Sequence, residues 1–135
     1  MRRYLISMGF ALCLVLAAGS ASAQSTDPID IATLDQEARD GILGNWIITD
    51  QSGGRTCHVT LSKESAIGGY AIEIDPACAS TFPVMDEVAA WRLYENWEIV
   101  LADATRKERI RFITPDESYI ATPETDGIFT ISRPE

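Results

Sequence analysis

The side chains able to carry chemistry are few and stand apart. His58 is the single histidine of the chain. It falls on the polar side of an alternating segment, Thr56 to Ser62, whose other side carries Cys57, Val59 and Leu61. One imidazole cannot build a zinc site without further nitrogen or sulfur ligands at ligand spacing, and none lies near it in sequence. Acidic side chains number 20, but they scatter over strand ends and turns, with no spacing that sets two of them up as an acid–base pair. Gly53-Gly54 and Gly68-Gly69 read as turns, and no phosphate-cradling glycine loop is present. These residues point to a binding protein and away from an enzyme, with no cofactor and no metal ion of its own.

Cysteine usage points to an oxidising compartment. Cys13, Cys57 and Cys78 are the three cysteines. Cys13 lies in a segment with the marks of a secretory signal. Arg2 and Arg3 form a basic start, an apolar stretch runs to about Ala18, and Gly19-Ser20-Ala21-Ser22-Ala23 ends in an Ala-x-Ala cleavage pattern. Residues 1–23 are therefore expected to be removed, so that the mature chain starts at Gln24. Leu12 stands before Cys13, where a lipoprotein signal needs a small residue, and the Arg2-Arg3 pair only faintly matches a twin-arginine signal. The mature chain keeps Cys57 and Cys78, an even pair with one possible connectivity. The alternative is two reduced, buried thiols. Closing such a loop stabilises a fold by roughly 3 kcal/mol.

Without Arg2 and Arg3, 9 basic residues face 20 acidic ones, a net charge of −11. Nucleic-acid phosphates and anionic lipid repel such a chain, so no nucleic-acid partner is expected. No run of the mature chain is apolar enough for a membrane span. The acidic surface serves solubility or steers a basic partner.

The elements that position these residues are mostly strands. Gln24 to Asp30 lacks apolar periodicity and contains Pro28, and reads as an extended leader. Leu34 to Ile42 reads as a short helix, with acids in its first turn and Gly41 near its end. Beyond Gly44 the pattern has a period of two. Eight strands are predicted, at about 45–50, 56–62, 69–75, 88–94, 97–103, 108–114, 117–122 and 128–133. Turn residues separate them except over Pro76 to Glu87, which reads as an irregular or single-turn helical lid carrying Cys78. The fold class is all-β, an eight-stranded up-and-down antiparallel β-barrel of lipocalin-like form with a short N-terminal helix. The domain plan is signal peptide 1–23, flexible leader 24–33 and barrel 34–135. First and last strands are neighbours in such a barrel. Trp46 and Ile48 are then expected to point inward with Phe129, Ile131 and Arg133, and the Arg133 guanidinium to stack on the Trp46 indole and plug one barrel end. Trp91 and Trp97 are expected in the core, with Trp97 sharing a face with Ile99 and Leu101.

Several of these residues come in a familiar order. Leu43-Gly44-Asn45-Trp46 opens the barrel, and Cys57-His58-Val59-Thr60-Leu61 forms the second strand. Gly69-Tyr70, Cys78 and Ala90-Trp91-Arg92 come next, followed by Leu101, Phe112, Tyr119 and Ile131-Ser132-Arg133. From about Leu34 to Arg133 the chain resembles the AprI/Inh family of bacterial metalloprotease inhibitors, also found as a domain of outer-membrane lipoproteins. The resemblance implies a Cys57–Cys78 bond, periplasmic residence and a secreted, serralysin-type zinc metalloprotease as partner of a monomeric inhibitor. It also implies that the leader acts as a trunk threaded into the protease cleft. Gln24, Ser25, Thr26, Asp27 and Pro28 would contact the protease, with the Gln24 amine nearest its zinc. The leader is acidic, with Asp27 and Asp30, which keeps a second reading in view: a non-inhibitory cell-envelope binding module on the same barrel. A lipocalin-like carrier of small ligands would need a hollow interior, which the inward tryptophans oppose.

Overall fold

The computed structural model describes residues 27–135. The predicted signal peptide and Gln24, Ser25 and Thr26 lie outside the described residues. Eight antiparallel strands close into one barrel in the order β1-β2-β3-β4-β5-β6-β7-β8. They are β1 Gly44–Asp50, β2 Thr56–Ala66, β3 Gly69–Ile74, β4 Val88–Leu93, β5 Ile99–Asp103, β6 Glu108–Ile113, β7 Tyr119–Thr125 and β8 Ile128–Ser132. Closure pairs β1 with β8 through Ile48↔Ile131 and leaves no open sheet edge. No helix among the described residues is long and apolar enough to cross a membrane.

The interior is a packed core. Trp91, Leu93, Ile99, Leu101 and Phe112 are each 0 % exposed, so large side chains fill the space that a small-ligand carrier would keep hollow. The buried Trp91 indole donates to Ser62 O at 3.0 Å, which satisfies its only polar atom. The ring is not uniform. The β1–β2 ladder runs from Gly44↔Leu61 to Thr49↔Thr56, whereas β3 meets β4 through the pair Tyr70↔Trp91. At that point the two backbones come very close. A Cβ on Gly69, whose φ is +153°, would lie 2.3 Å from Trp91 O, so only glycine fits.

Several boundaries differ from the sequence expectation, each for a local reason. The helix, α1, is Gln36–Ile42, and Asp35 caps it by accepting from Ala38 N. β2 runs on to Ala66, through Ser62 to Ser65, where the apolar alternation has already stopped. β7 continues through Pro123 to Thr125, and its ladder with β8 is irregular between Ile120 and Thr125, where proline has no N–H to donate. The lid holds a single helical turn, α2 Cys78–Thr81, and a 3-10 turn at Pro83–Asp86.

Two expectations about facing fail outright. Phe129 is exposed, while Ile128 and Ile131 are buried. The register shift at Thr49/Asp50 breaks the period of two in β8, because a bulge turns every residue beyond it to the other face. Trp97 is not part of β5. It ends a turn, Glu95–Trp97, with Asn96 and Trp97 both in left-handed backbone, and its side chain is 44 % exposed. Alternation read back from Ile99 and Leu101 cannot cross such a turn.

Candidate functional site

The leader reaches the barrel before the helix begins. Ile29 N donates to Leu93 O at 2.7 Å, which adds one residue of leader to the end of β4. The Tyr70 hydroxyl then does two things. It accepts from Ile31 N at 3.0 Å and donates to Asp30 Oδ1 at 3.3 Å. Asp30 also caps the short turn Ile31–Thr33 by accepting from Ala32 N. Ile31 is buried at 4 % exposure, and Ile29 packs against the core. Ile29, Asp30 and Ile31 are thus held against the barrel. The docking rests on an apolar–acid–apolar triplet meeting a tyrosine some 40 residues away.

Asp27 and Pro28 are the two predicted contact residues that the structure describes, and both are exposed. Pro28, Ile29 and Asp30 form one wall of an open groove of about 500 Å³ whose other wall is the β2–β3 hairpin at Ser65, Gly68 and Tyr70. Arg92 holds the hairpin tip by donating to Gly68 O, and to Arg106 O at 2.6 Å. The leader therefore emerges along a hydrogen-bonded surface instead of from a loose loop.

The barrel end next to this exit is closed by α1. The Trp46 indole N–H donates to Ile42 O at 2.9 Å. The Arg133 guanidinium lies 4.5 Å from the Trp46 ring centroid. It donates to Asp40 O, Gly41 O and Leu43 O at 3.0, 2.6 and 2.7 Å, and to Asn45 O at 3.0 Å. One side chain thus meets the last carbonyls of α1, which have no helical partner, while its face rests on an aromatic ring. Burial pushes the Arg133 pKa down, against the influence of Tyr119. Gly44 leaves room for this contact: with φ +105°, a Cβ there would lie 3.3 Å from Arg133 Nη1. Tyr119 completes the corner edge-on to Trp46, with centroids 5.4 Å apart, and burial raises its pKa. The helix-capping role of Arg133 has no signature in the sequence, since its acceptors are backbone carbonyls.

The opposite end is stapled by Cys57–Cys78, with Cα atoms 5.1 Å apart, joining β2 to α2. Both cysteines are buried and His58 between β2 neighbours is exposed. Arg55 lies 4.9 Å from the Phe82 ring centroid and donates to Thr81 O at 3.2 Å and Asp126 O at 3.3 Å.

Among the described residues the molecule presents a closed barrel, an N-terminal strap held at Ile29 to Ile31, and the exposed Asp27 and Pro28 before it. Comparison with curated proteins and with solved structures gave no match. The family model described as Protease inhibitor Inh matches residues 36–133, from the first residue of α1 to the arginine that caps it. The chain therefore belongs to the Inh family of protease inhibitors.

Proposed function

We propose that the protein is a periplasmic inhibitor of a secreted, serralysin-type zinc metalloprotease. In this reading it is exported by residues 1–23 and acts through the leader Gln24 to Pro28. The observation that carries the reading is the anchor at Ile29. An inhibitory trunk needs a fixed base and an extendable tip. Leu93 O, the Tyr70 hydroxyl and the buried Ile31 supply the base. The five residues before Ile29 can extend roughly 17 Å at about 3.3 Å each, enough to enter a cleft from the barrel end. A fixed base lowers the ordering entropy lost on binding, and Pro28 stiffens the stretch next to it. A free amine at Gln24 could take the open position on a catalytic zinc.

Of the two leader acids, Asp30 is engaged with Tyr70 and Ala32. Its charge therefore belongs to the base and not to the tip. The test is a titration of a serralysin-type protease with mature protein and with a form lacking Gln24 to Pro28. The cut stops short of Ile29, because removing Ile29 or Asp30 would also remove the anchor. The shortened form should keep its melting temperature and lose inhibition by about a hundredfold or more. Equal inhibition by both forms would move the contact to the barrel surface. Inhibition by neither would favour a cell-envelope binding module.

A further inference from the structure

Trp97 is the tryptophan that the barrel does not use. It is 44 % exposed, where Trp46 and Trp91 are 4 % and 0 %. Its φ is +61° and that of Asn96 is +62°. Left-handed backbone is rare for a bulky side chain and persists only where its surroundings impose it. The Trp97 ring forms one wall of a groove of about 350 Å³, with Tyr119 beside it and Ala38, Gly41 and Ile42 of α1 across it. Nothing lies within 4 Å of where a Gly41 Cβ would stand, so the helix wall is open there. The exposed carboxylates of Asp35 and Glu37 also line this groove.

The charges decide what fits. Three other aromatic rings of the protein carry a guanidinium: Phe82 under Arg55, Tyr94 under Arg111 and Trp46 under Arg133. Among the described residues no cation covers Trp97, and none pairs with Glu37. Asp35 accepts from Ala38 N through Oδ1. The groove thus joins an uncovered indole face to acidic side chains, and its volume falls within the range of small-ligand sites.

We propose that this groove receives an arginine side chain projected from the surface of the target protease. The aliphatic stem lies between Trp97 and Ala38, the guanidinium plane rests on the indole, and its charge meets Glu37. The proposal rests on the inhibitor reading in naming a protease as the source of the arginine, and it adds a second point of contact beyond the leader.

The experiment has two arms. In the first, the mature protein is titrated with N-acetylarginine amide while the indole N–H signal of Trp97 is followed by NMR. A saturable shift is expected, with N-acetylcitrulline amide, the neutral analogue, binding at least about fivefold more weakly. Glu37→Gln should weaken the arginine amide about threefold. Trp97→Asn keeps a residue that tolerates the left-handed turn, and should abolish the response at the Ala38 and Gly41 amides. An equal response to arginine and citrulline, or an unchanged response in the Trp97→Asn protein, would overturn the proposal. In the second arm, Trp97→Asn should weaken inhibition of a serralysin-type protease about tenfold without lowering the melting temperature. Unaltered inhibition would show that the groove faces away from the protease and refute the assignment. If the wild-type protein inhibits no protease, the functional reading fails, and the arginine titration still decides the groove.

Discussion

The two ends of the barrel solve the same problem with different bonds. At each end a guanidinium rests on an aromatic ring and donates to backbone carbonyl oxygen at the end of a short helix, several carbonyls for Arg133 and Thr81 O alone for Arg55. Arg133 does this with Trp46 and α1, and Arg55 with Phe82 and α2. The α2 end adds the Cys57–Cys78 bond. The α1 end has no covalent tie, and it is the end where the leader docks and where Trp97 stands exposed. Covalent closure has been placed away from the surfaces we assign to binding. The end we assign to a partner is held by non-covalent contacts.

Substitutions that act on one end alone test this contrast. Replacing both Cys57 and Cys78 by alanine should have the largest effect, about 3 kcal/mol of stability on the loop-entropy account. Thermal melting would show a fall of roughly 4 °C per kcal/mol. A loss no larger than that of Arg55→Ala would mean that the guanidinium contact, not the staple, holds the α2 end. Arg133→Ala should cost about 2 kcal/mol, since it removes the ring contact and the cap on α1 together. Amide exchange would accelerate by about thirtyfold over Gln36 to Ile42 and stay unchanged around α2. Uniform acceleration would show that the ends are not independent. Arg55→Ala, with the disulfide intact, should cost about 1 kcal/mol.

The mildest perturbation is acid. Asp103 joins β5 to the following turn at the α2 end, opposite Val88. The Thr105 hydroxyl bond, opposed by burial and helped by Lys107 N, Thr105 N and Arg109, brings its pKa down to about 2 from the usual 3.8. A depressed folded-state pKa gives stability that is present above about pH 4 and lost as pH falls toward 2. In Asp103→Asn that part of the acid dependence should vanish, leaving a flatter melting profile between pH 4 and 2. An unchanged profile would place the acid sensitivity in other carboxylates.

The fold was legible wherever one face of a strand meets the core. Cys57, Val59 and Leu61 alternate because β2 is buried on one side, and the same holds for Trp46 and Ile48 in β1. The pattern failed where the backbone departs from regular pairing. In β8 the bulge places Ile128 and Ile131 inside and Phe129 outside. At Asn96 and Trp97 two residues of positive φ interrupt what reads as the alternating face of Trp97, Ile99 and Leu101. The site was less legible still. The leader is fixed by a tyrosine hydroxyl and a backbone carbonyl, Leu93 O. A carbonyl has no residue type, so no sequence pattern announces it. The same is true of Arg133, whose acceptors are four main-chain oxygens.

The single pairing of β3 with β4 has a mechanical consequence. A closed ring under load parts at its weakest joint, and here that joint is Tyr70↔Trp91. Tyr70 is also the residue that holds the leader at Ile31. Traction on the leader would therefore be delivered to the clasp of the ring itself. A pull from the N-terminal side would load this joint, because the residue that holds the leader also forms the pair that closes the ring between β3 and β4.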